Sequence, residues 1–179
     1  MKKLLLILPL ALILCFMVGC QDKEAMAELE EFRAQAEIEE QNKAIVRRAL
    51  ELYDEKNFVE RDKLFSPNTV YHAPGGKEYS LKGYREQFGV HFYTAFPDLR
   101  HTIEDIIAER DKVVLRLTDY GTHQGEFMGI PPTGKEITWP VTSVYRLSKG
   151  IVQELWIEFD ILSLMEQLGM ELKPKEAEK

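Results

Sequence analysis

GTHQGEFMGIPPTGK, residues 121–135, lies between two β-type runs and decides how they are joined. Upstream is KVVLRLT, residues 112–118; downstream a second run opens at Ile137-Thr138-Trp139 and ends near Leu147. The stretch holds Gly121, Gly125, Gly129 and Gly134, together with Pro131-Pro132. Glycine within a strand marks a bulge, a bend or a close backbone approach. Two prolines ahead of Thr-Gly-Lys form a turn that no ladder crosses. The stretch therefore reads as the bent junction of two antiparallel strands, with His123 inside the bend. On local chemistry alone, a decorated hairpin satisfies the same pattern.

Outward from this junction the period is two. Residues 101–108 read as a strand with Glu109-Arg110-Asp111-Lys112 as its turn, followed by strands over 113–124, 137–147 and 151–160. Ser148-Lys149-Gly150 suits a three-residue hairpin with Gly150 in the left-handed position. Gly169 stops a closing helical turn over 161–168, and 173–179 is a charged tail. Before the meander, Ile45, Ala49, Leu52 and Tyr53 share one face of an amphipathic helix ending near Lys56-Asn57. A short helical segment over 58–65 and a short strand, Thr69-Val70-Tyr71-His72, follow. Ser80 is a suitable N-cap for a helix from Leu81 to about Ala95, whose inner face carries Phe88, Phe92, Tyr93 and Phe96. Helices first, then four consecutive strands, define an α+β domain in which helices cover one face of a curved antiparallel sheet. Glycine bends would curl that sheet into a cone with a central pocket, the helices lying on its concave side.

The N-terminus bears on compartment. Lys2-Lys3, an apolar run over 4–18 and Gly19-Cys20 describe a secretory signal over 1–19. Met17-Val18-Gly19-Cys20 resembles the bacterial lipobox, with methionine where a branched aliphatic is usual; an ordinary cleaved signal or an anchor are the alternatives. Lipidation at Cys20 would anchor the exported chain to a bacterial membrane. Cys15 and Cys20 are the chain's two cysteines, so the mature domain has no disulfide, no cysteine nucleophile and no Cys-ligated metal. Removal of residues 1–19 leaves 160 residues, one domain with a core, and takes the formal charge from −7 to −9. An acidic domain argues against nucleic acid and against electrostatic adhesion to anionic lipid. Residues 20–41, rich in Glu, Ala, Lys and Gln, read either as a helical stalk or as a mobile tether; the globular domain spans 42–172.

Taken together, GTHQGEFMGIPPTGK, AFPDLRHTIEDIIAERDKVVLR before it and VYRLSKGIVQELWIEFDILSLMEQLG after it resemble the SnoaL-like polyketide cyclases, also called ester cyclases. The resemblance runs from about Asn42 to Gly169 and implies the nuclear transport factor 2-like cone and frequent homo-oligomers, a homodimer among them. It implies intramolecular aldol condensation with no metal, cofactor or Schiff base, and a pocket carboxylate as acid/base, which maps to Asp160. In the last strand Glu154, Trp156, Glu158 and Asp160 alternate on one face, with Ile151, Leu155, Ile157 and Phe159 opposite. A carboxylate beside an indole would have its pKa raised by desolvation, as a general acid/base near neutral pH requires. Asp160 also stands where the closing helix needs an N-cap. His72 and His123 are the candidate donors to an enolate, neither with metal-ligand spacing. Tyr71, Phe92, Phe96, Tyr145, Trp156 and Glu158 are the expected pocket residues, and Arg116 is expected to pair with Glu154. Two functions fit: an acid/base cyclase or isomerase acting on a small hydrophobic carbonyl compound, or a non-catalytic lipoprotein that holds an apolar ligand in the same pocket.

Overall fold

The computed structural model describes residues 4–171, and of residues 4–22 the backbone only. The expected signal segment and Cys20 therefore fall outside the described side chains, and the tail over 173–179 lies outside the described residues. Among the described residues no helix is long and apolar enough to cross a membrane. Two compact units divide the chain, residues 1–38 and 39–179. The first is the N-terminal part of helix α1 (Leu4–Asp54), and it leaves Met26, Leu29 and Phe32 exposed.

In the second unit α1 buries Val46, Ala49, Leu50 and Leu52, the apolar face that the helical spacing predicts. Helix α2 (Phe58–Asp62) follows, capped by the Asn57 side chain, which accepts from the Glu60 N–H. Strands β1 (Phe65–Ala73) and β2 (Lys77–Ser80) pair antiparallel. The predicted helix over 81–95 is interrupted: α3 (Leu81–Tyr84) and α4 (Val90–Ala95) flank a π-turn, Arg85–Gly89. Ser80 caps α3 as expected, its hydroxyl accepting from the Gly83 N–H at 3.1 Å. Strands β3 (Arg100–Glu109), β4 (Lys112–Thr122), β5 (Glu136–Ser148) and β6 (Ile151–Phe159) then form the meander, and α5 (Ile161–Leu168) closes the chain.

All six strands make one curved, unclosed sheet in the order β2-β1-β6-β5-β4-β3, with β1 parallel to β6 and every other pairing antiparallel. The β5–β6 hairpin is tighter than expected: Ser148 pairs with Ile151, and Lys149 and Gly150 both take positive φ, 51° and 76°. That is a two-residue loop, whose twist matches the strands it joins. On β4 and β5 the buried side chains alternate strictly, Val113, Leu115, Leu117 and Asp119 on one strand, Ile137, Trp139, Val141, Ser143, Tyr145 and Leu147 on the other. This face and the helices enclose the core.

The 121–135 stretch is held by its backbone. A Cβ on Gly125 would lie 2.1 Å from the Thr94 carbonyl oxygen, so only glycine lets the loop reach the end of α4. There the Gln124 and Gly125 N–H groups donate to the Ala95 carbonyl at 2.8 and 3.1 Å. At the tip Phe127 and Ile130 exchange both backbone hydrogen bonds around Met128 and Gly129, which sit at φ 50° and 83°.

Candidate functional site

Parity decides which face of β6 lines the interior. Leu155, Ile157 and Phe159 face a cavity of about 70 Å³ between sheet and helices, and Trp156 and Glu158 take the opposite face. The apolar parity turns inward because burying it gains the transfer free energy that exposing it would forfeit. The cavity is mostly apolar, yet Arg61, His101 and Asp119 stand in its wall with Tyr53, Tyr84 and Tyr145.

Asp119 is the inward position of β4 after Leu117, and is 7 % exposed. In the ladders it faces His101 on β3 and Trp139 on β5. Its Oδ2 lies 3.6 Å from His101 Nε2, while its Oδ1 is buried without a hydrogen-bond partner among the described residues. Burial pushes the carboxyl up to about 7, with His101 opposing the shift and Asp54 adding to it. His101 Nδ1 meets Asp54 Oδ1 in a short contact. Burial alone would lower the His101 pKa, but the hydrogen bond to Asp54 and the charge of Asp119 raise it overall. Asp54, at the end of α1, keeps its side chain 32 % exposed and borders a separate surface groove of about 390 Å³. The three side chains thus run from the surface to the cavity.

Across the same cavity Arg61 of α2 is 7 % exposed. Its Nη2 donates to the Tyr71 hydroxyl at 3.1 Å, and its guanidinium lies 4.4 Å from the Phe65 ring centroid and 5.1 Å from that of Tyr53. Burial pushes the Tyr53 and Tyr145 hydroxyls up to about 12, so both are neutral donors at physiological pH.

Of the expected pocket residues, Phe92 and Tyr145 line the cavity. Phe96 is fully buried in the aromatic core, 5.3 Å from Trp139 and 5.4 Å from His123, and Tyr71 reaches the site only by accepting from Arg61. Trp156 stacks on His72 outside the cavity, centroids 4.6 Å apart and planes 3° apart. His72 Nδ1 lies 3.3 Å from Glu78 Oε1. His123 is fully buried, and burial lowers its pKa. Its Nδ1 accepts the Thr133 N–H at 3.2 Å, and its backbone N–H and carbonyl bond Lys135 and Gly134. It pins the loop shut and does not line the cavity. Asp160 is exposed and caps α5, accepting the Ser163 N–H at 2.9 Å. Glu158 is exposed as well. Arg116 pairs with Asp105 on the surface, and Glu154 takes Arg146 instead, at 2.7 Å.

A second, larger groove of about 610 Å³ adjoins the cavity; Phe88, Phe127 and Met128 line it, and it shares Phe92 and Phe159 with the cavity. Those two rings meet edge to face at 5.6 Å, a partition built of side chains.

A profile described as SnoaL-like polyketide cyclase matches residues 43–168. Among solved structures, AclR of Streptomyces galilaeus, provisionally assigned as a hydroxylase, is 30 % identical, with 77 % of this chain and 91 % of that one covered and a TM-score of 0.69. IdmH of Streptomyces antibioticus, provisionally a polyketide cyclase, is 27 % identical over 72 % and 99 %, TM-score 0.67. A provisionally assigned polyketide cyclase of Acidithiobacillus ferrooxidans is 30 % identical over 72 % and 94 %, TM-score 0.62. No match was found among curated proteins.

Proposed function

The chain belongs to the SnoaL-like polyketide cyclase family, and from that membership we propose that it performs acid/base chemistry on a small carbonyl compound, an aldol-type cyclisation or an isomerisation, with Asp119 as the proton-transferring group. One observation carries this reading: a carboxylate in the wall of an apolar cavity, its Oδ1 unpartnered and its pKa pushed up to about 7. Such a group is ionised often enough at neutral pH to remove a proton α to a carbonyl, and basic enough to hold it. Tyr53 and Tyr145 supply neutral hydroxyls for the enolate oxygen that forms. His101 acts as a positioning residue: poised between Asp119 and the half-exposed Asp54, it links the acid to solvent for the return of the proton.

The test is hydrogen exchange at the α-carbons of cyclopentanone in deuterated water, followed by proton NMR. Exchange should be catalysed, rise with pH through about 7, and fall about 100-fold or more in Asp119→Asn. Equal rates in the two proteins would refute the assignment and leave the cavity as a binding site. We further propose that Cys20 is lipidated and holds the exported domain at a bacterial membrane; its support is the Gly19-Cys20 junction after an apolar run. Cys20→Ala should then release the chain from the membrane fraction on centrifugation, and retention would count against lipidation.

A further inference from the structure

Arg61 is a buried cation that no carboxylate pairs with directly among the described residues. A guanidinium stays protonated at any physiological pH, and removing it from water costs several kcal/mol unless a counter-charge or a full set of acceptors replaces the lost hydration. Here one hydrogen bond to Tyr71 and the faces of Tyr53 and Phe65 offset part of that cost. Among the described residues the Nε–H is buried with no acceptor; burial disfavours the charged form, and the groups that oppose this are the surrounding tyrosines. Among the described residues Arg61 forms no ion pair, whereas the neighbouring Arg85 takes Asp62. The cation nonetheless lies in the cavity wall.

From this we infer that the cavity binds a small oxocarboxylate, its carboxylate on the Arg61 guanidinium and its ketone directed toward Asp119. Geometry sets the class. Arg61 and His101 both pack on the Tyr53 ring, the guanidinium 5.1 Å and the imidazole 5.2 Å from its centroid. A ligand joining cation to base therefore passes along one aromatic ring, a span of a few bonds. The cavity volume of about 70 Å³ is far below the roughly 300–1,000 Å³ of a drug-sized site, which favours a small ligand over a multi-ring body. A carboxylate matches the planar fork, which a neutral ester does not. The assignment of the ketone to Asp119 rests on the acid/base reading above; the anion site itself does not.

Levulinate and methyl levulinate separate the possibilities, because they share a ketone and carbon spacing and differ in charge. Binding is read by titration calorimetry and by thermal shift on the full chain. Levulinate should bind about tenfold or more tightly than its methyl ester, and Arg61→Met should erase the preference. Arg61→Lys should keep it in weakened form, since the charge remains and the fork is lost. Equal affinity for the two probes, binding of neither, or a preference surviving in Arg61→Met overturns the proposal; the comparison on the unaltered protein needs no variant to fold. Cyclopentanone exchange reports Asp119 independently. Exchange without a carboxylate preference sinks the anion site alone, and a preference without exchange sinks the acid/base reading alone.

Discussion

A carboxyl group held at a pKa of about 7 lowers the stability of the fold at neutral pH. Against an ordinary value near 3.8, the native state binds a proton that the unfolded chain has released, so stability declines as pH rises from about 4 to 7. His101 acts in the same sense. Its raised pKa contributes stability that is complete below 6.5 and is lost as pH climbs through the folded value. Asp98 behaves oppositely: burial opposes ionisation, yet the Thr122 N–H and hydroxyl bring its pKa down, so its contribution is lost in acid. A melting-temperature profile from pH 4 to 8 should therefore peak at mildly acidic pH. Asp119→Asn should flatten the neutral side and stabilise the protein at pH 8 by on the order of a few kcal/mol; a wild-type profile rising from pH 5 to 8 would contradict this. Asp160→Ala should cost about 1 kcal/mol through the lost cap of α5 and leave cyclopentanone exchange unchanged. The burial of Asp119 was legible in principle, since it stands at the inward parity after Val113, Leu115 and Leu117. A charge on the buried register of a strand is the signal. The W…D segment points by resemblance to Asp160, which in the structure caps α5, while Leu155, Ile157 and Phe159 mark the inner face of β6 by their apolar side chains.

Among the elements, the meander was readable because period two and turn chemistry agree along its length. The helical side was less so. Nothing local announces the π-turn at Arg85–Gly89, and β2 (Lys77–Ser80) is too short and polar for alternation to show. Arg61 reads as the polar face of a short amphipathic turn; only the packing of α2 onto the sheet makes it internal. The glycines of 121–135 were rightly suspect, though their purpose is tertiary: Gly125 exists to let the loop touch α4. Gly125→Ala should destabilise by about 2–3 kcal/mol, since a Cβ 2.1 Å from the Thr94 oxygen forces backbone to separate. Chemical denaturation measures it, and a change under about 0.5 kcal/mol would show that the loop yields. Because Phe92 follows from the same short helix, that variant should also alter ligand binding in the cavity.

At the scale of the whole molecule the cone holds two unequal spaces, a small charged interior and a wider apolar groove, divided by Phe92 and Phe159. Phe92→Ala should cost about 3–5 kcal/mol of stability and open one space into the other. Bulky hydrophobic ketones should then bind more tightly than to the unaltered protein, as a fluorescence displacement titration would register; unchanged affinity would mean that backbone, not the rings, bounds the interior. Two rings in edge contact differ from a wall of main chain in being able to turn. A ligand that enters from the groove must pass these rings, so along that route association should be slow and nearly independent of solvent viscosity, and two ligands of equal affinity would differ in residence time according to girth. Selection by this protein is in that sense a matter of passage time as much as of fit.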